Sequence, residues 1–125
     1  MYDDLEEQLK HSLEKAIELF NRKRAEVLVQ VQLYKGQTAV IAIEKDFFKF
    51  REAYYIILKN QLNKQHKQFL ELVCYGIIEI NKLNASIQTC EDMKEFLDLS
   101  SSVMKLLSRI LEVLCSERLN EIQKE

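Results

Sequence analysis

Two histidines and three cysteines are the side chains of this 125-residue chain best equipped for chemistry, so their spacing is tested first. A helical di-iron site needs Glu-x-x-His pairs turned inward, and neither His11 nor His66 has a glutamate three residues before it. Zinc needs clustered ligands at short spacing, whereas Cys74, Cys90 and Cys115 are singletons on separate stretches, with no C-x-x-C pair. Nucleophilic catalysis requires a cysteine or serine beside a positioned base. Cys74 and Cys115 fall at the edges of apolar faces, and only Cys90, read as part of a helix start, has a helix dipole to lower its thiol pKa. Two isolated glycines cannot build a phosphate loop, and G-x-x-x-x-G-K, G-x-G-x-x-G and G-x-S-x-G do not occur. No arginine stands four to six residues ahead of a histidine, the spacing of helical nucleases. These residue types point away from an enzyme, a metal centre and a bound cofactor.

Charge is the second resource. The formal net charge of −2 argues against a general nucleic-acid binder and against strong attraction to anionic membranes. Arg22-Lys23-Arg24 is a short basic cluster, and between Ala53 and Leu70 the only charges are the positive Lys59, Lys64 and Lys67. With the Asn and Gln residues around them, Arg22, Arg24, Lys59, Lys64 and Lys67 are the candidate contacts for phosphates or bases. No aromatic residues interleave them as stacking platforms, so solvated helix ends explain the same cations. Arg24 and Arg118 fall within otherwise apolar arcs, where a long side chain either snorkels to water or pairs with a carboxylate across an interface. Asp3, Asp4, Glu6 and Glu7 suit a capped helix start and are the opposite of the positive charge that opens a secretion signal. With unpaired cysteines and no long apolar run, this gives a cytoplasmic protein that does not span a membrane.

Apolar spacing carries the strongest signal. In Thr38–Leu58, Val40, Ile43, Phe47, Phe50, Tyr54 and Ile57 recur at steps of three and four and share one helical face. A second row, Ile41, Phe48 and Tyr55, repeats every seven residues in coiled-coil fashion, with Glu44 and Arg51 between the rows. Either a neighbouring helix covers that row, or it is an exposed strip suited to a partner helix or a second copy of the chain. Leu99, Leu106 and Val113 form a similar seven-residue row off the main face of the last helix. The candidate partner-binding residues are therefore Ile41, Phe48, Tyr55, Leu99, Leu106 and Val113.

The elements that position these rows follow from the same periodicity. No proline and only two glycines leave few turn formers, so the composition favours long helices with few connections. The first helix starts at Asp3 or Asp4 and carries Leu5, Leu9, Leu13, Ile17, Phe20, Val27, Leu28, Val31 and Tyr34 on one face to Lys35, with Gly36 in a left-handed C-terminal position and Thr38 as the next N-cap. The alternating Val29–Leu33 segment, followed by Lys35-Gly36 and Thr38–Ile41, is also compatible with a β-hairpin, although Lys-Gly is a weak hairpin turn. A turn near Asn60–Asn63 separates the second helix from a third with Leu62, Phe69, Leu70, Leu72, Val73, Ile77, Ile80 and Leu83 on one face. Without that turn, one helix would run from Thr38 to about Asn84. Gly76 lies in the third apolar face, where its missing side chain lets a neighbour approach. Asn84–Gln88 reads as a connection, Thr89 with Asp92 as a capping box, and the last helix continues in phase through Ser100–Ser102.

The expected architecture is one all-α domain over residues 1–125, an antiparallel up-down-up-down four-helix bundle, with three long helices as the alternative. In that order the start of the first helix (Leu5, Leu9, Leu13) would pair with the end of the last (Leu114, Leu119, Ile122). Apolar residues at 47% and charged residues at 30% suffice for a packed core at this length without metal or disulfide. The expected function is a non-enzymatic interaction module, an adaptor, small chaperone or complex subunit, binding a protein partner or itself as a homodimer. The alternative is a nucleic-acid-associated regulator.

Overall fold

A computed structural model describes residues 2–59 and 67–124; the side chains of residues 2–4, 68 and 115–124 lie outside the description. Four helices account for the described chain: α1 (Tyr2–Lys35), α2 (Gln37–Lys59), α3 (Lys67–Thr89) and α4 (Met93–Lys124). They form the up-down-up-down four-helix bundle that the apolar periodicity predicts, and the Val29–Ile43 segment is helix, turn, helix. Among the described residues no helix is long and apolar enough to cross a membrane. The predicted turn at Asn60–Asn63, Leu62, Lys64, His66, Cys115, Arg118, Leu119, Ile122 and the Asp3/Asp4 caps fall outside what is described.

Gly36 alone joins α1 to α2. At φ +90° it takes the left-handed conformation that only glycine adopts without cost. Its N–H donates to the Gln32 carbonyl at 2.8 Å, while its own carbonyl accepts from Val40 N at 3.4 Å. One residue thus closes one helix and opens the next, and Thr38, expected as the cap, is already inside α2. The second hairpin also differs in detail from expectation. α3 runs through Asn84–Gln88 to Thr89, because Asn84, Ser86 and Ile87 are buried, Asn84 against α1 and Ile87 in the core, rather than left as a connection. Cys90 then takes a left-handed φ of 53°, and Asp92 caps α4 through Oδ1 to Glu95 N at 3.0 Å. Thr89 hydroxyl instead donates to the Ser86 carbonyl.

Side-chain pairs fix the arrangement. Arg24 meets Glu44 and Tyr54 meets Glu14, so α1 and α2 run antiparallel. Going up α1, Ser12 meets Asn84 and Lys23 meets the Gln88 carbonyl, so α1 and α3 run parallel. Among the described residues α1 packs on α2 and α3, and α4 packs on the same two; α1 and α4 barely touch, and α2 and α3 do not. The helices therefore go round the square as α1-α2-α4-α3, with α2 and α3 at opposite corners. Of the expected pairing between the start of α1 and the end of α4, Leu9 and Leu13 are fully buried and Leu9 lies close to Gly76 of α3, while Leu119 and Ile122 lie outside the described residues.

The core is centred on an aromatic group drawn from three helices. Phe20 of α1 stacks on Phe47 of α2 at 3.9 Å, Phe50 meets Phe47 edge-on at 4.8 Å, and Phe96 of α4 lies 6.4 Å from Phe47. Each such contact contributes about 0.5–1.5 kcal/mol beyond the area it buries. α3 completes the core with Val73, Ile80, Leu83 and Ile87, all fully buried. Its buried Asn84 donates from Nδ2 to the Ser12 carbonyl at 3.2 Å, which fixes the offset of α3 along α1. Because α3 ends opposite the middle of α1, Tyr34 and Leu33 are exposed, although Tyr34 shares the apolar face in sequence.

Gly76 sits where α1, α3 and α4 meet. A β-carbon there would lie 3.3 Å from Ile110 Cδ1 and 3.9 Å from Leu9 Cδ1, so the missing side chain makes room for two side chains rather than for a neighbouring backbone. Gly76→Leu is expected to destabilise the protein by about 1–3 kcal/mol through overpacking. Gly76→Ala should change stability by less than about 1 kcal/mol, since its helix-propensity gain offsets the tight contact. Urea unfolding of the two variants checks this.

Candidate interaction surface

The face of α2 that turns away from the core carries the row Ile41, Phe48 and Tyr55. Their side chains are 49%, 60% and 55% exposed, while Ile43, Phe50 and Ile57 on the opposite face are at most 1% exposed. A helix at a bundle corner is covered by its two neighbours over one arc only. Here α1 and α4 cover the Phe47/Phe50 face and leave the heptad row in solvent. Tyr55 is braced edge-on against Tyr54 at 5.7 Å, which limits its freedom to fold back.

Polar contacts on both flanks hold α2 in this rotation. Toward α1, Arg24 Nη2 bonds Glu44 Oε2 at 3.0 Å, both side chains about half exposed. Of the two roles open to Arg24, snorkelling or pairing, the structure has the pair; at this exposure it adds about 0–1 kcal/mol and acts mainly on orientation. Tyr54 hydroxyl donates to Glu14 Oε2 at 3.0 Å, and its pKa is raised, first by desolvation and then by the Glu14 carboxylate and other nearby groups. Toward α4, the buried Ser100 hydroxyl donates to Asp46 Oδ2 at 2.9 Å, which explains why a serine belongs inside the last apolar stripe.

Between α1 and α2 a cleft of about 140 Å³ is lined by Asn21, Arg24, Glu44, Phe47, Phe48 and Arg51 among others. That is below the roughly 300 Å³ at which small-molecule sites begin, and it suits one inserted side chain. Phe48 thus belongs both to the exposed row and to the rim of this cleft.

The other residues singled out in the sequence are placed differently. Leu99 is 8% exposed, Leu106 is half-buried, and Val113 packs against the core, so this row is no exposed strip. Glu79 of α3 lines the same groove as Leu99, so α3 approaches α4 at that residue. Arg22, Lys59 and Lys67 are exposed and Arg24 is committed to Glu44. Lys59 lies about fifteen residues, or roughly 22 Å, along α2 from Glu44 and its partner Arg24. The described cations of that set do not form one patch. His11 is exposed on α1, and no three His, Cys, Asp or Glu side chains among the described residues could hold a metal ion. Cys90 is corrected from a helix start to a helix end, where desolvation first and Glu26 second push its thiol pKa up, against Lys23. Lys10 engages Glu6 and Glu7 of the acidic start at 3.3 and 3.8 Å.

The sequence did not single out exposed Val29 and Leu33 at the end of α1, or Tyr75 and Ile78 on α3. For Val29 and Leu33 the signal would have been the mismatch between the 34-residue α1 and the 23-residue α3. Compared with known protein families, curated proteins and solved structures, the chain matches none.

Asp46 gives a test of the α4 flank. Its pKa is raised by desolvation, against the lowering effects of the Ser100 hydrogen bond and Lys49. Between the ordinary aspartate value, about 3.9, and the raised folded value, the folded state binds more protons than the unfolded one. Stability contributed by this group therefore falls as pH rises through that window. Asp46→Asn keeps an oxygen for Ser100 without the charge. It should be more stable than the parent at pH 7, with the gap closing below about pH 4; thermal melts across pH measure it.

Proposed function

We propose that this protein is a non-enzymatic helix-binding module, an adaptor, small chaperone or complex subunit of the cytosol, that engages a protein partner through the outer face of α2. The observation that carries this reading is the exposed Phe48, flanked at heptad spacing by Ile41 and Tyr55 on a helix whose rotation is fixed from both sides. An amphipathic helix laid along this face would place its own apolar residues on the row and one side chain into the adjoining cleft.

The energetics suit a reversible contact. Covering the exposed half of three such side chains removes roughly 250 Å² of apolar surface from this chain, about 6 kcal/mol at ~25 cal/mol per Å². Association costs about 4–15 kcal/mol in lost freedom, so the row must be joined by the partner's own buried surface and by flank contacts. Glu44, Lys45, Arg51 and Glu52 border the row with both signs of charge and supply them. The nucleic-acid reading has less support, because Lys59 lies far along α2 from the Arg24–Glu44 pair and Arg24 is engaged in that pair; its signature would be binding that weakens steeply with salt.

Phe48→Glu should leave helicity and thermal stability close to those of the parent, within about 0.5 kcal/mol as for an exposed site, and should abolish association. A photo-crosslinker at position 48 is expected to give protein adducts, of the same chain or another, while one at the exposed Lys94 gives none. A Phe48→Glu protein that unfolds would show that the row belongs to the core and overturn the reading.

A further inference from the structure

We propose that the occupant of the α2 face is a second copy of this chain, docked antiparallel about a two-fold axis at Phe48. This inference rests on the reading of that face as a binding surface and adds the identity and direction of what binds. The face has an internal symmetry. At 100° per residue, Gln37, Ile41, Phe48, Tyr55 and Lys59 follow one line along the outside of α2, and all five are exposed. Their numbers are balanced around 48. Reversing a second copy about that point places Phe48 on Phe48, Ile41 on Tyr55 of the second copy, and Gln37 on its Lys59. Aliphatic meets aromatic twice, ring meets ring at the centre, and each lysine meets a neutral amide.

The flanks have the same symmetry in charge. Glu44 and Arg51 border the row on the side of α1, and Lys45 and Glu52 border it on the other side. A two-fold axis perpendicular to the helices sets each flank against itself in reverse order. Glu44 then faces Arg51 of the second copy and Lys45 faces its Glu52, giving four opposite-charge pairs by symmetry and no like-charge pair. Glu44 keeps Arg24 as its neighbour within the chain. The flank charges by themselves also suit a parallel arrangement, where Glu44 would meet Lys45 and Arg51 would meet Glu52. The row and the backbone decide between the two. A parallel pair would set Lys59 against Lys59 on the line itself and align two helix macrodipoles side by side, whereas the antiparallel pair opposes them.

Sedimentation equilibrium of the full chain from about 1 to about 500 μM, the concentration range of weak protein pairs, tests the proposal, with circular dichroism to confirm that each variant is folded. The parent is expected to form a dimer, and Glu44→Arg is expected to weaken it about tenfold or more. Combining Glu44→Arg with Arg51→Glu should restore the dimer to within a few-fold of the parent. In a parallel pair the same double exchange sets like charges against Lys45 and Glu52, so a double variant weaker than the single one would overturn the antiparallel geometry. An unchanged dimer in Glu44→Arg would show that this flank is not in the interface and would equally overturn it. A parent that stays monomeric throughout would overturn self-association. In that case the photo-crosslinker at position 48 still reports whether another protein uses the face, so the two readings fail separately.

Discussion

α2 carries more apolar surface than a corner of a four-helix bundle can cover, and much of the structure follows from how that excess is divided. A corner helix has two neighbours. It can bury the arc between them and part of each shoulder, and the rest faces water. In α2 the buried arc holds Val40, Ile43, Phe47, Phe50, Ala53 and Ile57. What is left over is a line centred on Phe48, with Ile56 and Leu58 exposed to either side of it near the end of the helix. The division is set by the stack of Phe20 on Phe47, which pulls α1 against one shoulder, and by Ser100 with Asp46, which seats α4 on the other. Rotating α2 to hide Phe48 would break the stack and unseat both polar flanks.

The order of helices around the square makes this division permanent. α2 and α3 are consecutive in the chain yet occupy opposite corners, so α3 is never available to cover the outside of α2. α3 instead fills the groove between α1 and α4, where Gly76 admits Ile110 and Leu9 and where Asn84 sets the offset on Ser12. The buried Asn84 Oδ1 finds no hydrogen-bond partner among the described residues, a cost of about 1–3 kcal/mol for such a group. Its Nδ2 bond is made at a single offset between the two helices, so Asn84 contributes to their alignment more than to stability.

Much of this was legible in the residues. The steps of three and four in Val40–Ile57 give the buried face of α2 directly, and the same steps place Ile41, Phe48 and Tyr55 on another. Gly36 after Lys35 announces a helix end because only glycine takes that backbone conformation freely. Other features depend on facts that periodicity does not carry. Leu99, Leu106 and Val113 have the same spacing as the α2 row, yet Leu99 is buried and Val113 packs against the core; which side of a helix is covered is decided by packing among all four. Asn84–Gln88 looks like a connection by composition, but Asn84 is a polar group that α1 receives inside the bundle, and Ser86 is buried as well. The cap at Asp92 rather than Thr89 follows from that longer α3.

The central claim is that Phe48 faces solvent in the single chain and is covered when the protein associates. Incorporating a fluorinated phenylalanine at position 48 alone and recording its fluorine resonance over a dilution series, in water and in heavy water, tests it most directly. A solvent-sensitive resonance is expected at high dilution, giving way with rising concentration to a second one insensitive to heavy water. A resonance insensitive to heavy water at every concentration would contradict it, because Phe48 would then be buried by the chain's own helices.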